Sequence, residues 1–199
     1  MKIVLASSNK HKVKEINEII QNLTNSQDIE FVLPPEGFDP IEDGKTFQEN
    51  SYIKAHAAWE VSKTWSLADD SGLCIDFLGG NPGIYSARYE ETPQKRIDRV
   101  LREMQGVKDR TAHFECCMTL INPNGEKEFV CTGICEGSIA EVQSGSHGFG
   151  YDPIFVVKGI NKTMADLPDE EKNRISHRAH ALKQVSEYLR SKTVYDNIK

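Results

Sequence analysis

Thr111-Ala-His-Phe-Glu-Cys-Cys-Met-Thr-Leu-Ile121 and Lys127-Glu-Phe-Val-Cys-Thr-Gly-Ile-Cys135 decide the fold, with Asn122-Pro-Asn-Gly125 between them. Two runs rich in β-branched and aromatic residues around an Asn-Gly turn signal predict a long β-hairpin. Working outward, Lys2 to Ala6, Ile29 to Leu33, Trp65 to Ala68 and Leu73 to Phe77 read as short strands. Ser138 to Val142 and Ile154 to Val157 add two more. Helical periodicity appears at Val13, Ile16, Ile20 and Leu23. A second helix opens at Thr46, with Glu49 completing a capping box, and carries Phe47, Ala57, Ala58, Val61 and Trp65 on one face. A third starts with Thr92 as cap and Pro93 at its first position, buries Ile97, Val100, Leu101 and Met104, and ends at Gly106. Ala179, Leu182, Val185 and Leu189 mark the last. Strands and helices mix without βαβ alternation around a central hairpin. The expectation is an α/β fold: a mixed β-sheet flanked by helices, one domain over 1–199, with two lobes and a central active-site cleft.

The chain has 199 residues, 38% hydrophobic and 27% charged, with 24 Lys and Arg against 30 Asp and Glu, a net charge of −6. That balance disfavours sequence-independent nucleic-acid binding, which needs a basic surface, but allows a cleft in which cations gather. No apolar run approaches a membrane span, and Met1 to Ala6 is too short for a signal peptide. The five cysteines, Cys74, Cys116, Cys117, Cys131 and Cys135, are odd in number and lack C-x-x-C spacing. Buried free thiols in a reducing cytoplasm are expected, rather than disulfides or a zinc site.

Five segments carry chemistry. Ser7-Ser8-Asn9-Lys10-His11-Lys12 joins a strand to a helix start, where free backbone amides favour anions. Its three cations oppose the helix dipole, a placement a bound phosphate would explain; solvated lysines on a capped helix are the plain alternative. Asn50 and Lys54, four apart, interrupt an apolar stripe and require partners. Asp69-Asp70-Ser71-Gly72 reads as a turn ending an apolar strand and aiming two carboxylates into a cleft. Glu42 and Asp43, in a loop, offer a further carboxylate for a magnesium ion, which takes one or two carboxylates plus phosphate oxygens and water. Ser146-His147-Gly148-Phe149-Gly150-Tyr151-Asp152 sets two aromatics and an acid in a Gly-rich loop, suited to a base or a sugar hydroxyl. Lys172 with Ser176-His177-Arg178 precedes the last helix; a surface cluster balanced by Asp169, Glu170 and Glu171 is the plainer reading.

Taken in order, Ser8 to Lys12, Thr46-Phe47-Gln48-Glu49-Asn50, Ala68-Asp69-Asp70-Ser71-Gly72-Leu73, Leu78 to Tyr89, Gly148 to Pro153, Glu171-Lys172 and Ser176-His177-Arg178 resemble the inosine/xanthosine triphosphate pyrophosphatase family. The likeness runs from about Lys2 to Leu189. It implies an elongated α/β homodimer that uses Mg²⁺ to cleave ITP, dITP or XTP into monophosphate and pyrophosphate. It implies that Asn9 and Lys12 of the Ser7–Lys12 loop, together with Lys54, meet the triphosphate. It further implies that Glu42 and Asp70 hold the metal, Asp70 being also the base for the attacking water, and that Ser71 touches substrate. Phe149, Gly150, Tyr151 and Asp152 would form the base and ribose pocket, and Lys172, His177 and Arg178 would read the purine. A pyrophosphatase of the related fold acting on pyrimidine or modified nucleotides is the sibling alternative, and a non-catalytic nucleotide sensor the more distant one.

Overall fold

The structure is a computed structural model that describes residues 1–23 and 29–196. Its strands are β1 Lys2–Leu5, β2 Glu30–Val32, β3 Trp65–Ile75, β4 Thr111–Ile121, β5 Lys127–Ile139 and β6 Phe155–Val157. Its helices are α1 Lys10–Leu23, α2 Phe47–Ser62, α3 Pro93–Glu103, α4 Asp169–Ile175 and α5 His177–Asp196. The strands form one mixed sheet in the order β2-β1-β3-β4-β5-β6. β1 runs parallel to β2 and β3, while β5 and β6 are antiparallel. The expected hairpin is present as β4 and β5, closed where the Asn122 amide donates to the Glu126 carbonyl.

Two compact units divide the chain. The first comprises Met1–Asp70, Cys116–Gly133 and Arg178–Lys199; the second comprises Ser71–Glu115 and Ile134–His177. In the first unit the strand pleat sends alternate residues to two cores. Ile3, Leu5, Leu67, Cys116, Met118 and Leu120 pack with Ile16, Ile19 and Ile20 of α1 and with Leu182, Val185 and Leu189 of α5. Val4, Ala6, Ala68 and Ile121 pack instead with Ala55 and Ala58 of α2. Strands buried on both faces explain why Lys2 to Ala6 reads as one apolar run. In the second unit, Leu73, Ile75, Ile97, Val100, Met104, Phe114 and Phe155 belong to a third core.

Three readings change. Asp69 to Gly72 is not a turn: β3 continues unbroken from Trp65 to Ile75, replacing two expected strands. Gly72 lies inside it because a Cβ there would sit 2.2 Å from the Gly83 carbonyl oxygen. The inner face of α2 is Phe47, Asn50, Ser51, Lys54, Ala55 and Ala58, whereas Val61 is exposed and Trp65 lies outside the helix. Polar residues thus occupy the face that an apolar count assigns elsewhere, because each finds a buried partner. The capping box of α2 is also shifted: Thr46 accepts from the Glu49 amide, but Glu49 accepts from the amide of Lys45. Ser138 and Ile139 extend β5 rather than starting another strand. Thr92 and Pro93 begin α3 as expected.

Candidate functional site

The two adjacent aspartates of β3 face opposite sides of the sheet. Asp70 falls on the Ala68 side, toward α2. There Lys54 Nζ donates to Asp70 Oδ1 at 2.9 Å and Asn50 Nδ2 to Asp70 Oδ2 at 3.2 Å. Asn50 is fully buried, and its Oδ1 accepts from the Gly44 amide at 2.9 Å. A Cβ on Gly44 would approach that same oxygen to 2.6 Å, so the loop can close on α2 only with glycine there. The closed loop carries Glu42 to Lys54, at 3.3 Å. Burial opposes the charge on Lys54, but Asp70, Asp69 and Glu42 outweigh it and hold its pKa above the ordinary lysine value. Burial also pushes the Asp70 carboxyl up, against the pull of Lys54 and with the help of Glu42.

Asp69 falls on the Leu67 side, toward α1 and α5. It pairs with Lys12 Nζ at 3.0 Å and with Arg178 Nη2 at 3.2 Å. Arg178, one of the largest fully buried side chains, also donates through Nη1 to Glu15 at 2.9 Å. Burial would raise the Asp69 carboxyl, yet Lys12, Arg178 and Lys54 together hold it far below the usual carboxylate range. Neighbouring carboxylates therefore differ in kind: Asp69 is locked as an anion, while Asp70 is biased toward accepting a proton.

Of the expected site residues in the first unit, Glu42, Asn50, Lys54 and Asp70 meet on the α2 side of the sheet, whereas Lys12 and Arg178 meet on the other side, at Asp69. The Ser7–Asn9 loop precedes α1 as expected, but the helix starts earlier, at Lys10. Asn9 caps it, its Oδ1 accepting from the amides of His11 and Lys12 at 3.0 and 3.3 Å. Those two amides are engaged by the cap rather than free, as the sequence reading had them. Ser8, Lys10 and His11 are exposed and Ser7 half-buried.

The second unit begins at Ser71, half-buried, and ends at His177. Within it Asp152 accepts from Lys172 Nζ at 2.7 Å and from the Phe149 amide at 2.8 Å. Lys172 Nζ stands 4.5 Å from the Phe149 ring centre. Gly148, at φ +72°, lies so close that a Cβ would meet Asp152 Oδ2 at 2.1 Å. Gly150 is also left-handed, at φ +63°. Tyr151 is buried, its hydroxyl donating to the Ser86 carbonyl at 2.9 Å. His177 stacks on Phe114 at 4.8 Å. Lys172, His177 and Arg178 are all buried, which overturns their reading as a surface cluster.

Sequence reasoning missed Glu15 and the separate task of Asp69. Glu15 carried the signal that exposed Asn50 and Lys54: with Ile19 and Leu23 it lies on an apolar helix face, four and eight residues on. Ser86 was missed as well; its Oγ accepts from the Leu73 amide and donates to the Gly83 carbonyl.

Residues 3–188 match the profile of the Ham1 family. The chain is 48% identical to a dITP/XTP pyrophosphatase of Treponema denticola over 96% of its length and 99% of the relative's. It is similar to the solved structure of a HAM1 protein from Coxiella burnetii, with TM-score 0.85, 40% identity and coverage of 96% and 99% of the two chains. The Staphylococcus aureus Ham1 protein gives TM-score 0.85, 37% identity and coverage of 96% and 100%.

Proposed function

The chain belongs to the Ham1 family, and from that premise we propose that it hydrolyses the purine nucleoside triphosphates ITP, dITP and XTP to monophosphate and pyrophosphate with Mg²⁺ as cofactor. The observation that carries this reading is the convergence of half-buried Glu42 and buried Asp70 on the buried Lys54, at 3.3 and 2.9 Å. Two carboxylates offering hard oxygen donors are the set magnesium prefers, so these residues fit the ion. Bound there, Mg²⁺ would neutralise phosphate charge and acidify water.

Asp70 takes the proton of the attacking water. A carboxyl raised by burial is a stronger base than an ordinary aspartate. Lys54 and Asn50 fix its orientation. Lys12, held by Asp69, and Lys10 beside it attract the triphosphate, His11 offers a further ring donor, and Asn9, Ser7 and Ser8 shape the loop. Phe149 offers a ring face for the base, and Asp152, tied by Lys172, sets the loop that presents it. His177 supplies a donor to a 6-oxo group. A 6-amino purine would leave that donor mismatched, the kind of defect that separates substrates by orders of magnitude. Arg178 acts through Asp69 rather than on the base, since Glu15 and Asp69 hold its guanidinium. The name of the Treponema denticola relative supports the same activity. Five buried free thiols fit a reducing cytoplasm, and the resemblance favours a homodimer.

The test is incubation with ITP and Mg²⁺ followed by separate assays for pyrophosphate and orthophosphate. Pyrophosphate as the primary product is expected; orthophosphate first, or no product, would end this reading.

A further inference from the structure

We propose that Cys74, His113 and Glu115 form a second cation site, in the second unit, that binds a borderline-soft divalent ion of the Zn²⁺ class. The Cys74 sulfur, a His113 ring nitrogen and a Glu115 carboxylate oxygen all lie within 4.8 Å of one another. His113 Nε2 and Glu115 Oε2 are 3.8 Å apart. Zinc bonds of about 2.0–2.3 Å to N, O and S imply tetrahedral ligand–ligand edges of roughly 3.3–3.8 Å. The His113–Glu115 pair, at 3.8 Å, already meets that spacing, and the set as a whole lies within about 1–1.5 Å of it.

The backbone explains the grouping. His113 and Glu115 are two apart on β4 and share one face, while Phe114 between them is buried on the other, against Phe155. Cys74 lies near the end of β3, the neighbouring strand. The set mixes sulfur, imidazole and carboxylate, a combination that suits zinc and not magnesium. It is therefore chemically distinct from the oxygen donors of Glu42 and Asp70. The surrounding field is negative: Asp76 and Glu115 act on Cys74, and Glu136 lies near His113. Lys158, the cation of that neighbourhood, is engaged by Glu136 at 2.7 Å. Burial, then Glu115 and Asp76, push the Cys74 thiol up to about 12, so the ion competes with a firmly held proton and binding should tighten as pH rises. His113 and Glu115 are each about a third exposed, at 32% and 28%, which gives an ion a way in. Cation binding forms a metal–sulfur bond, breaks the S–H bond and releases the proton to solvent. The ion would tie β3 to β4.

Co²⁺ is the probe, added to the full-length chain after treatment with a chelator. One equivalent per chain should produce a thiolate-to-cobalt charge-transfer band that Zn²⁺ abolishes. The band should vanish in Cys74→Ser and persist in Asp70→Asn, whose defect lies at the magnesium carboxylates. In His113→Gln, cobalt affinity should fall at least about tenfold, the scale of losing supporting ligand interactions. Far-UV circular dichroism checks that each variant folds, and the partly exposed His113→Gln carries the test should Cys74→Ser fail to fold. No band in the parent chain, or a band undiminished in a folded Cys74→Ser or His113→Gln, overturns the site. Pyrophosphate release from ITP is scored separately, so loss of that activity leaves the cobalt result standing.

Discussion

At the scale of single residues, the difference between Asp69 and Asp70 follows from which partners each meets. Three cations hold Asp69 ionised; Asp70 meets Lys54 and Asn50 but also burial and Glu42, and its carboxyl is raised. Asp70→Asn keeps the shape and the Lys54 contact while removing the base. Turnover of ITP should fall by about 10²–10⁴, the range for losing a general base, with the thermal midpoint little changed. Near-parental turnover would remove Asp70 from that role. In the metal-free protein the Asp70 carboxyl should titrate above an ordinary aspartate, a direction that carbon-detected NMR checks. His177→Ala tests the reading of the base. The ratio of kcat/KM for ITP over ATP should drop by about tenfold or more, whereas an unchanged ratio would assign His177 only to packing on Phe114.

At the scale of elements, α5 is tied to β5 by a polar clamp at its far end. Glu128 accepts from the Tyr188 hydroxyl, from Asn122 Nδ2 at 2.9 Å and from the Lys192 ammonium. The Phe129 ring stacks on Tyr188 at 4.4 Å beside it. Lys192, Tyr188 and Asn122 hold the Glu128 carboxyl at about 2, below the ordinary glutamate range. A depressed carboxylate stabilises the fold above its unfolded pKa, and that contribution is lost as pH falls from about 4.5 toward 2. Glu128→Gln should cost on the order of 1 kcal/mol at pH 7, after allowance for solvent screening, and almost nothing near pH 2. Urea denaturation at the two pH values measures this; an equal penalty at both would deny the ionic origin.

The elements also show what the sequence made legible. The hairpin, the Thr92–Pro93 start of α3 and the Thr46 cap of α2 were readable because their signals are local: turn residues, caps and periodicity within a few positions. β3 was not, since Asp-Asp-Ser-Gly mimics a turn and only α1, α2 and α5 supply the partners that allow two buried charges mid-strand. Asn50 and Lys54 announced themselves as polar breaks in an apolar stripe. Arg178 did not, because its partner Glu15 is 163 positions away in sequence.

For the whole molecule, the five cysteines supply a global readout. All are buried and free, and burial pushes Cys131 and Cys135 up to about 12 and 11. A native sample at neutral pH should expose at most one reactive thiol per chain to an aromatic disulfide reagent, and five in urea. Labelling of four or five thiols without denaturant would contradict the burial described for both units.

The alternating pleat of β3 has an evolutionary corollary. Slipping that strand by a single position would turn each carboxylate to the opposite face of the sheet, taking Asp70 away from Lys54 and Asp69 away from Arg178. An insertion or deletion between Trp65 and Asp70 thus disables two charge clusters at once, although the residue types survive. Length variation in relatives that keep this chemistry should therefore collect in the connections and spare that six-residue stretch.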